Sequence, residues 1–142
     1  MFFFKGCSKS DEFIISQHPI NEIRSNFWQM VWDNNSNHVV SLYGDDKVDK
    51  CENFWLEPGL VMKCDSFTVI LKDEAFDIDF VYRDFLLQSI DEDYEFNCRI
   101  ISVSYWPDSC APVKSAFDLV NKVRQLRCST TMSLGPIIIH DL

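Results

Sequence analysis

The chain has 142 residues, which is enough for one domain and not for two. Its 46% hydrophobic and 14% aromatic content, with 12 Phe and 4 Trp, excludes an intrinsically disordered chain. A net charge of −9 repels phosphate backbones and so excludes nucleic acid as a partner.

The opening Met1-Phe2-Phe3-Phe4 is cut off by Lys5 and Gly6, too soon for the core of a signal peptide. No run approaches the ~20 apolar residues of a membrane span, so the expectation is a chain with no membrane segment of its own, placed in the cytoplasm. Phe13 to Gln17 reads as a short strand of mixed burial, ended by Pro19. A helix is predicted from about Asn21 to Asn34, with Ile23, Phe27, Met30 and Val31 as its apolar stripe. Asn21 is its expected cap, Glu22 suits its positive end, and Asn34-Asn35-Ser36-Asn37 stops it. His38 to Tyr43 is a β-rich run suited to a central strand, and Gly44 to Lys47 is a polar loop. Glu57-Pro58-Gly59 is a turn.

Three strands are predicted next, over Ser66–Lys72, Asp77–Ser89 and Tyr94–Tyr105. In the second, Ile78, Phe80 and Tyr82 alternate with polar or smaller residues, then the pattern slips at Arg83-Asp84 and resumes at Phe85 and Leu87. A bulge at that point would explain the slip. Asp91-Glu92-Asp93 is a tight acidic turn. A second helix is expected after Pro112, from about Val113 to Arg127, with Val113, Phe117, Val120, Val123 and Leu126 as its buried stripe. Ser129 to Ser133 is a loop, and Ile137-Ile138-Ile139 has the continuous apolarity of a central parallel strand. The order predicts an α/β fold, a mixed central sheet flanked by helices.

Six cysteines stand without CxxC spacing, mostly beside apolar residues, and are expected to be reduced and buried. His18, His38 and His140 have no ligand-spaced neighbour, so no metal site is predicted. The acidic stretch Asp73, Glu74, Asp77, Asp79 lacks calcium-loop spacing and reads as a solvated edge.

Five segments in order carry a family resemblance: Ile15-Ser16-Gln17-His18-Pro19-Ile20, Phe27-Trp28-Gln29-Met30-Val31-Trp32-Asp33, Lys50-Cys51-Glu52-Asn53-Phe54-Trp55, Trp106-Pro107-Asp108-Ser109-Cys110-Ala111-Pro112, and Gly135-Pro136-Ile137-Ile138-Ile139-His140-Asp141. Together they resemble a protein tyrosine phosphatase domain, most closely the inactive second, membrane-distal domain of receptor-type phosphatases. The resemblance covers about Phe4 to Asp141. It implies a partial phosphatase-like domain over residues 1–142, truncated at both ends and stopping at the start of the phosphate-binding loop.

The chemistry implied by the family needs a low-pKa cysteine, a cradle of backbone N–H groups with an arginine, and an aspartic acid that protonates the leaving phenolate. By the motif match Asp108 is the general-acid position, held in a loop with Trp106 and Pro107. Cys110 replaces the glycine of the family's Trp-Pro-Asp-x-Gly-x-Pro, which stiffens the backbone where that loop must swing. His140 matches the histidine before the nucleophile. Asp141 occupies the nucleophile position itself, where the family has cysteine. No cofactor is implied. The resemblance therefore implies a catalytically inactive regulatory or interaction module, in the cytoplasm or as the cytoplasmic part of a membrane receptor. Its expected partner is a protein, with another phosphatase domain the first candidate. The alternative is a fragment of an active enzyme whose phosphate-binding loop lies beyond Leu142.

Overall fold

The computed structural model describes residues 2–4, 12–17, 19, 23–42, 54–103, 113–128 and 135–141. Eight strands and two helices follow in chain order: β1 (Phe2–Phe4), β2 (Phe13–Gln17), α1 (Arg24–Asp33), β3 (His38–Ser41), β4 (Val61–Lys63), β5 (Phe67–Phe76), β6 (Phe80–Ser89), β7 (Glu95–Val103), α2 (Val113–Cys128) and β8 (Ile137–Asp141). They form one mixed sheet in the order β1-β2-β8-β3-β7-β6-β5-β4. The strands β2, β8, β3 and β7 run parallel, and the two sides of the sheet are antiparallel. The expected α/β class and the central place of Ile137-Ile138-Ile139 both hold. Strands β1 and β4 carry no signal a sequence reading could use, because three residues are too few to show a period.

Each face of the sheet has its own core. Helix α1 lies on one, where Phe27, Trp28 and Val31 meet Ile14, Val39, Ile100 and Ile138. Helix α2 lies on the other, where Leu119 and Val123 meet Val40, Phe80, Ile101 and Ile137. Alternate residues of β3, β7 and β8 serve opposite faces, which is why these strands read as continuous apolar runs.

Both predicted helix stripes need correction. In α1 the buried residues are Phe27, Trp28 and Val31, while Ile23 is exposed and stands at the N-cap without a side-chain cap. The expected cap Asn21 lies outside the described residues. In α2 the buried residues are Leu119 and Val123, whereas Phe117 is 67% and Val120 47% exposed. Both stripes fit helical spacing, and only the direction of the sheet decides between them.

Asn34-Asn35-Ser36 ends α1 by a defined device. Asn35 takes the left-handed conformation (φ 49°), its N–H donates to Trp32 O, and Ser36 N–H donates to Val31 O. That is the Schellman pattern, with asparagine where glycine is commoner.

The expected bulge is real but lies in the neighbouring strand. The β5–β6 register jumps between Leu71 and Asp73, opposite Phe85 and Asp84, so the extra residue is Lys72 of β5. Strand β6 pairs with β7 without interruption. Its apolar pattern slips because Phe80 and Tyr82 pack on the α2 face, while Phe85 and Leu87 pack on the α1 face. Ile78, 87% exposed, precedes the strand. Beyond the bulge β5 continues to Phe76, further than predicted. Glu74 pairs with Arg83 there at 3.0 Å, and Asp73, Asp77 and Asp79 face solvent. The acidic turn closes β6 onto β7, with Ser89 N–H donating to Tyr94 O at 2.9 Å.

Candidate active site

Four parallel strands point their carboxyl ends to one edge of the sheet, and in open α/β sheets that edge is where ligands bind. Strand β8 reaches it between β2 and β3. Its register sets His140 beside Ser16 and Ser41, and Asp141 beside Gln17 as the last residue of the strand. Two neighbouring strands hold this end, and Leu42 N–H adds a hydrogen bond to His140 O at 3.0 Å.

His140 is fully buried. Its ring meets Phe27 of α1 edge-on, with centroids 5.7 Å apart, and Phe54 edge-on at 5.5 Å. Phe27 and Phe54 are themselves 4.7 Å apart. The imidazole is thus wedged between two aromatic edges, which fixes the strand end that carries Asp141. The sequence places Phe27 in the predicted helix stripe and Phe54 in a family-matched segment, and nothing in it connects either with His140. No spacing signals a contact across more than 80 residues.

Trp106, Pro107 and Asp108 lie outside the described residues. Their flanks are described: β7 ends at Val103 and α2 begins at Val113. Val103 closes β7 at the same carboxyl edge as Asp141, with β3 between the two strands, so the ends lie roughly 10 Å apart, two strand spacings. The fold therefore launches the segment bearing the candidate acid from the edge that bears Asp141.

Neither described cysteine is an activated thiol. Burial pushes the Cys98 thiol far above its ordinary range, and the charge of Asp84 pushes it the same way. Cys64 is raised by burial and then by Asp65. Both are free. Among the described residues no group of three or more His, Cys, Asp or Glu could hold a metal ion, and no helix is long and apolar enough to cross a membrane.

Comparison with known proteins adds the family. The model of the protein-tyrosine phosphatase family matches residues 3–142. The chain is 35% identical over 136 residues to mosPTP-1 of Culex quinquefasciatus, covering 96% of this chain and 9% of that protein. It is 34% identical over 136 residues to tyrosine-protein phosphatase 99A of Drosophila melanogaster, covering 96% of the chain and 10% of the relative. It is 28% identical over 145 residues to receptor-type tyrosine-protein phosphatase zeta of Homo sapiens, covering 98% and 6%. The chain spans a tenth or less of the length of these relatives.

Proposed function

Since the chain belongs to the protein-tyrosine phosphatase family, we propose that it is a partial phosphatase domain that has lost turnover and acts as a regulatory or interaction module. The observation that carries this reading is Asp141 at the end of β8, the position where the family motif has its nucleophilic cysteine. A carboxylate there cannot perform the thiolate's attack. It would also repel an incoming phosphate by roughly 4 kcal/mol at about 4 Å and an effective dielectric of 20. Aspartate nucleophiles towards phosphorus work with a metal and a second carboxylate, and no D-x-D pair accompanies Asp141. Asp108 then remains as a vestigial acid position, with Trp106 and Pro107 as its loop. The span 1–142 reaches the start of the phosphate-binding loop.

A module of this kind works by surface contact. We propose a protein partner, with a catalytic phosphatase domain the first candidate. The receptor-type relatives support a place in the cytoplasmic part of a membrane receptor.

The test is p-nitrophenyl phosphate turnover by the purified chain. The expected result is a rate equal to buffer, unchanged in Asp108→Ala. Turnover that Asp108→Ala abolishes would overturn the reading. A second reading, a piece of an active enzyme, is favoured by the retained Trp106-Pro107-Asp108 motif. The transcript beyond the Leu142 codon separates the two: a Cys-x5-Arg loop in frame supports the enzyme, and a degraded loop supports the module.

A further inference from the structure

Tyr94 stands where the β6–β7 turn meets the end of α1, at the amino edge of the parallel strands and opposite the edge that bears Asp141. Its hydroxyl donates to Asn35 Oδ1 at 2.6 Å. Asn35 is the left-handed residue that closes α1, with its own N–H on Trp32 O at 3.2 Å and the Ser36 N–H on Val31 O at 3.1 Å. Trp32, in the last turn of α1, stacks on Phe67 of β5 at 4.6 Å and on Phe96 of β7 at 5.6 Å. It meets the Tyr94 ring edge-on at 5.6 Å. The Tyr94 phenol therefore latches the hairpin to the helix end.

The described tyrosines differ in what they offer to solvent. The Tyr82 hydroxyl is buried, whereas Tyr94 is 44% exposed. Tyr43 and Tyr105 lie outside the described residues. Asp91, Glu92 and Asp93 precede Tyr94 and Glu95 follows it, all four exposed. Among the described residues none of the four is in an ion pair; Arg83 is taken by Glu74, Arg99 by Asp84 and Lys114 by Asp118. Lys63 of β4 is three strand spacings from Glu95, roughly 14 Å, through Thr68 and Gln88. The four carboxylates form no metal-holding group. A macromolecule that engages this turn must bring basic groups to it.

We propose that Tyr94 is a phosphoacceptor for a tyrosine kinase with a basic substrate groove, and that the phosphate opens the latch on α1. In the transfer the phenol oxygen bonds the γ-phosphorus of a magnesium-bound nucleoside triphosphate. The bond from that phosphorus to the bridging oxygen breaks, the nucleoside diphosphate leaves with the electron pair, and the phenol proton passes to the kinase's base. The product has lost its O–H donor and carries about two negative charges at neutral pH. Asn35 Oδ1 then faces another acceptor. An Asn35 amide turned over would offer one neutral donor, against four carboxylates and the carbonyl end of the α1 dipole, so repulsion prevails. Tyr94 lies at the opposite edge from Asp141, so the site holds or fails apart from the function proposed above.

The experiment treats the whole chain with MgATP and a tyrosine kinase catalytic domain that phosphorylates a glutamate–tyrosine copolymer, and maps the phosphate by peptide mass. The expected result is phosphate on Tyr94 and none on Tyr82. The rate at Tyr94 should fall about tenfold when Asp91→Asn, Glu92→Gln and Asp93→Asn are combined. In the phosphorylated chain, hydrogen exchange at the Asn35 and Ser36 amides should speed up by about fivefold or more. Tyr94→Phe and Asn35→Gly remove the hydrogen bond without adding charge and should speed it by less; glycine keeps the left-handed backbone. A folded chain that takes no phosphate on Tyr94 would overturn the site, and a synthetic peptide of residues 88–98 shows whether fold or sequence forbids it. An unchanged rate with the neutralised turn would overturn recognition by a basic groove. Unchanged exchange at Asn35 and Ser36 in the phosphorylated chain would overturn the latch.

Discussion

The Trp28 indole N–H donates to the carbonyl oxygen of Phe54 at 2.9 Å, bridging 26 residues. The two rings also lie 5.9 Å apart, and Phe54 in turn abuts His140. Helix α1 is thereby fastened to the segment ahead of β4 and, through it, to the strand that ends in Asp141.

Removing that fastening should be costly. Trp28 is fully buried, so Trp28→Ala should lower stability by about 3–5 kcal/mol. Trp28→Phe keeps an aromatic ring and removes the donor from a buried carbonyl, for about 1–3 kcal/mol. Urea denaturation of the three proteins gives the order. Equal midpoints for wild type and Trp28→Phe would show that the hydrogen bond contributes nothing.

Gly135 and Gly59 offer a contrast between crowding and backbone conformation. A Cβ on Gly135 would collide with the backbone oxygens of Asn34 and Asn35, which are held by the α1 terminus and cannot swing away. Gly135→Ala should therefore cost about 1–3 kcal/mol or more through overpacking. Gly59 has φ 83° but open space around it, so Gly59→Ala meets only left-handed strain, about 1–2 kcal/mol. Thermal melts should place Gly135→Ala below Gly59→Ala. The reverse order would mean that the α1 terminus yields.

His38 should make the fold sensitive to mild acid. Its folded pKa is lowered to about 4 against an ordinary 6.5, through burial and then Arg127 and Arg99, with Asp84 opposing. Between these values the unfolded chain binds more protons than the folded one, so stability falls as pH drops from 6.5 to about 4 and this contribution is flat outside the window. The full effect is at most about 3 kcal/mol, at 1.36 kcal/mol for each pKa unit. The check is urea stability of wild type and His38→Gln across pH 4–7. The wild type should show the steeper loss, and parallel curves would refute the assignment.

The described thiols should react in order of burial. Cys98 is fully buried with its pKa raised beyond the ordinary range, and Cys64 is half-buried with a smaller environment penalty. Alkylation at pH 8 followed by peptide mass mapping should label Cys64 first, and Cys98 only as fast as the chain opens. Rapid labelling of Cys98 in folded protein would contradict its placement in the α1 core.

Much of this protein is written in local sequence. The runs Phe13–Gln17, His38–Ser41 and Ile137–Ile139 specify strands through β-branched apolar residues, and Asn34-Asn35-Ser36 specifies a helix end through asparagine's tolerance of positive φ. Five ordered motifs place the chain in its family and put an aspartate at the end of the last strand. Local pattern cannot choose between two helical stripes of equal spacing, so the burial of Leu119 rather than Phe117 was decided only when α2 met the sheet. Nor can it locate the bulge at Lys72, because the apolar pattern of β6 records burial on two faces at once. The wedge of Phe27 and Phe54 around His140, and the placing of His38 beside Arg99 and of Arg99 beside Asp84, are likewise products of tertiary pairing. Such contacts join residues far apart in the chain, and they exist only once the parallel strands have paired in register.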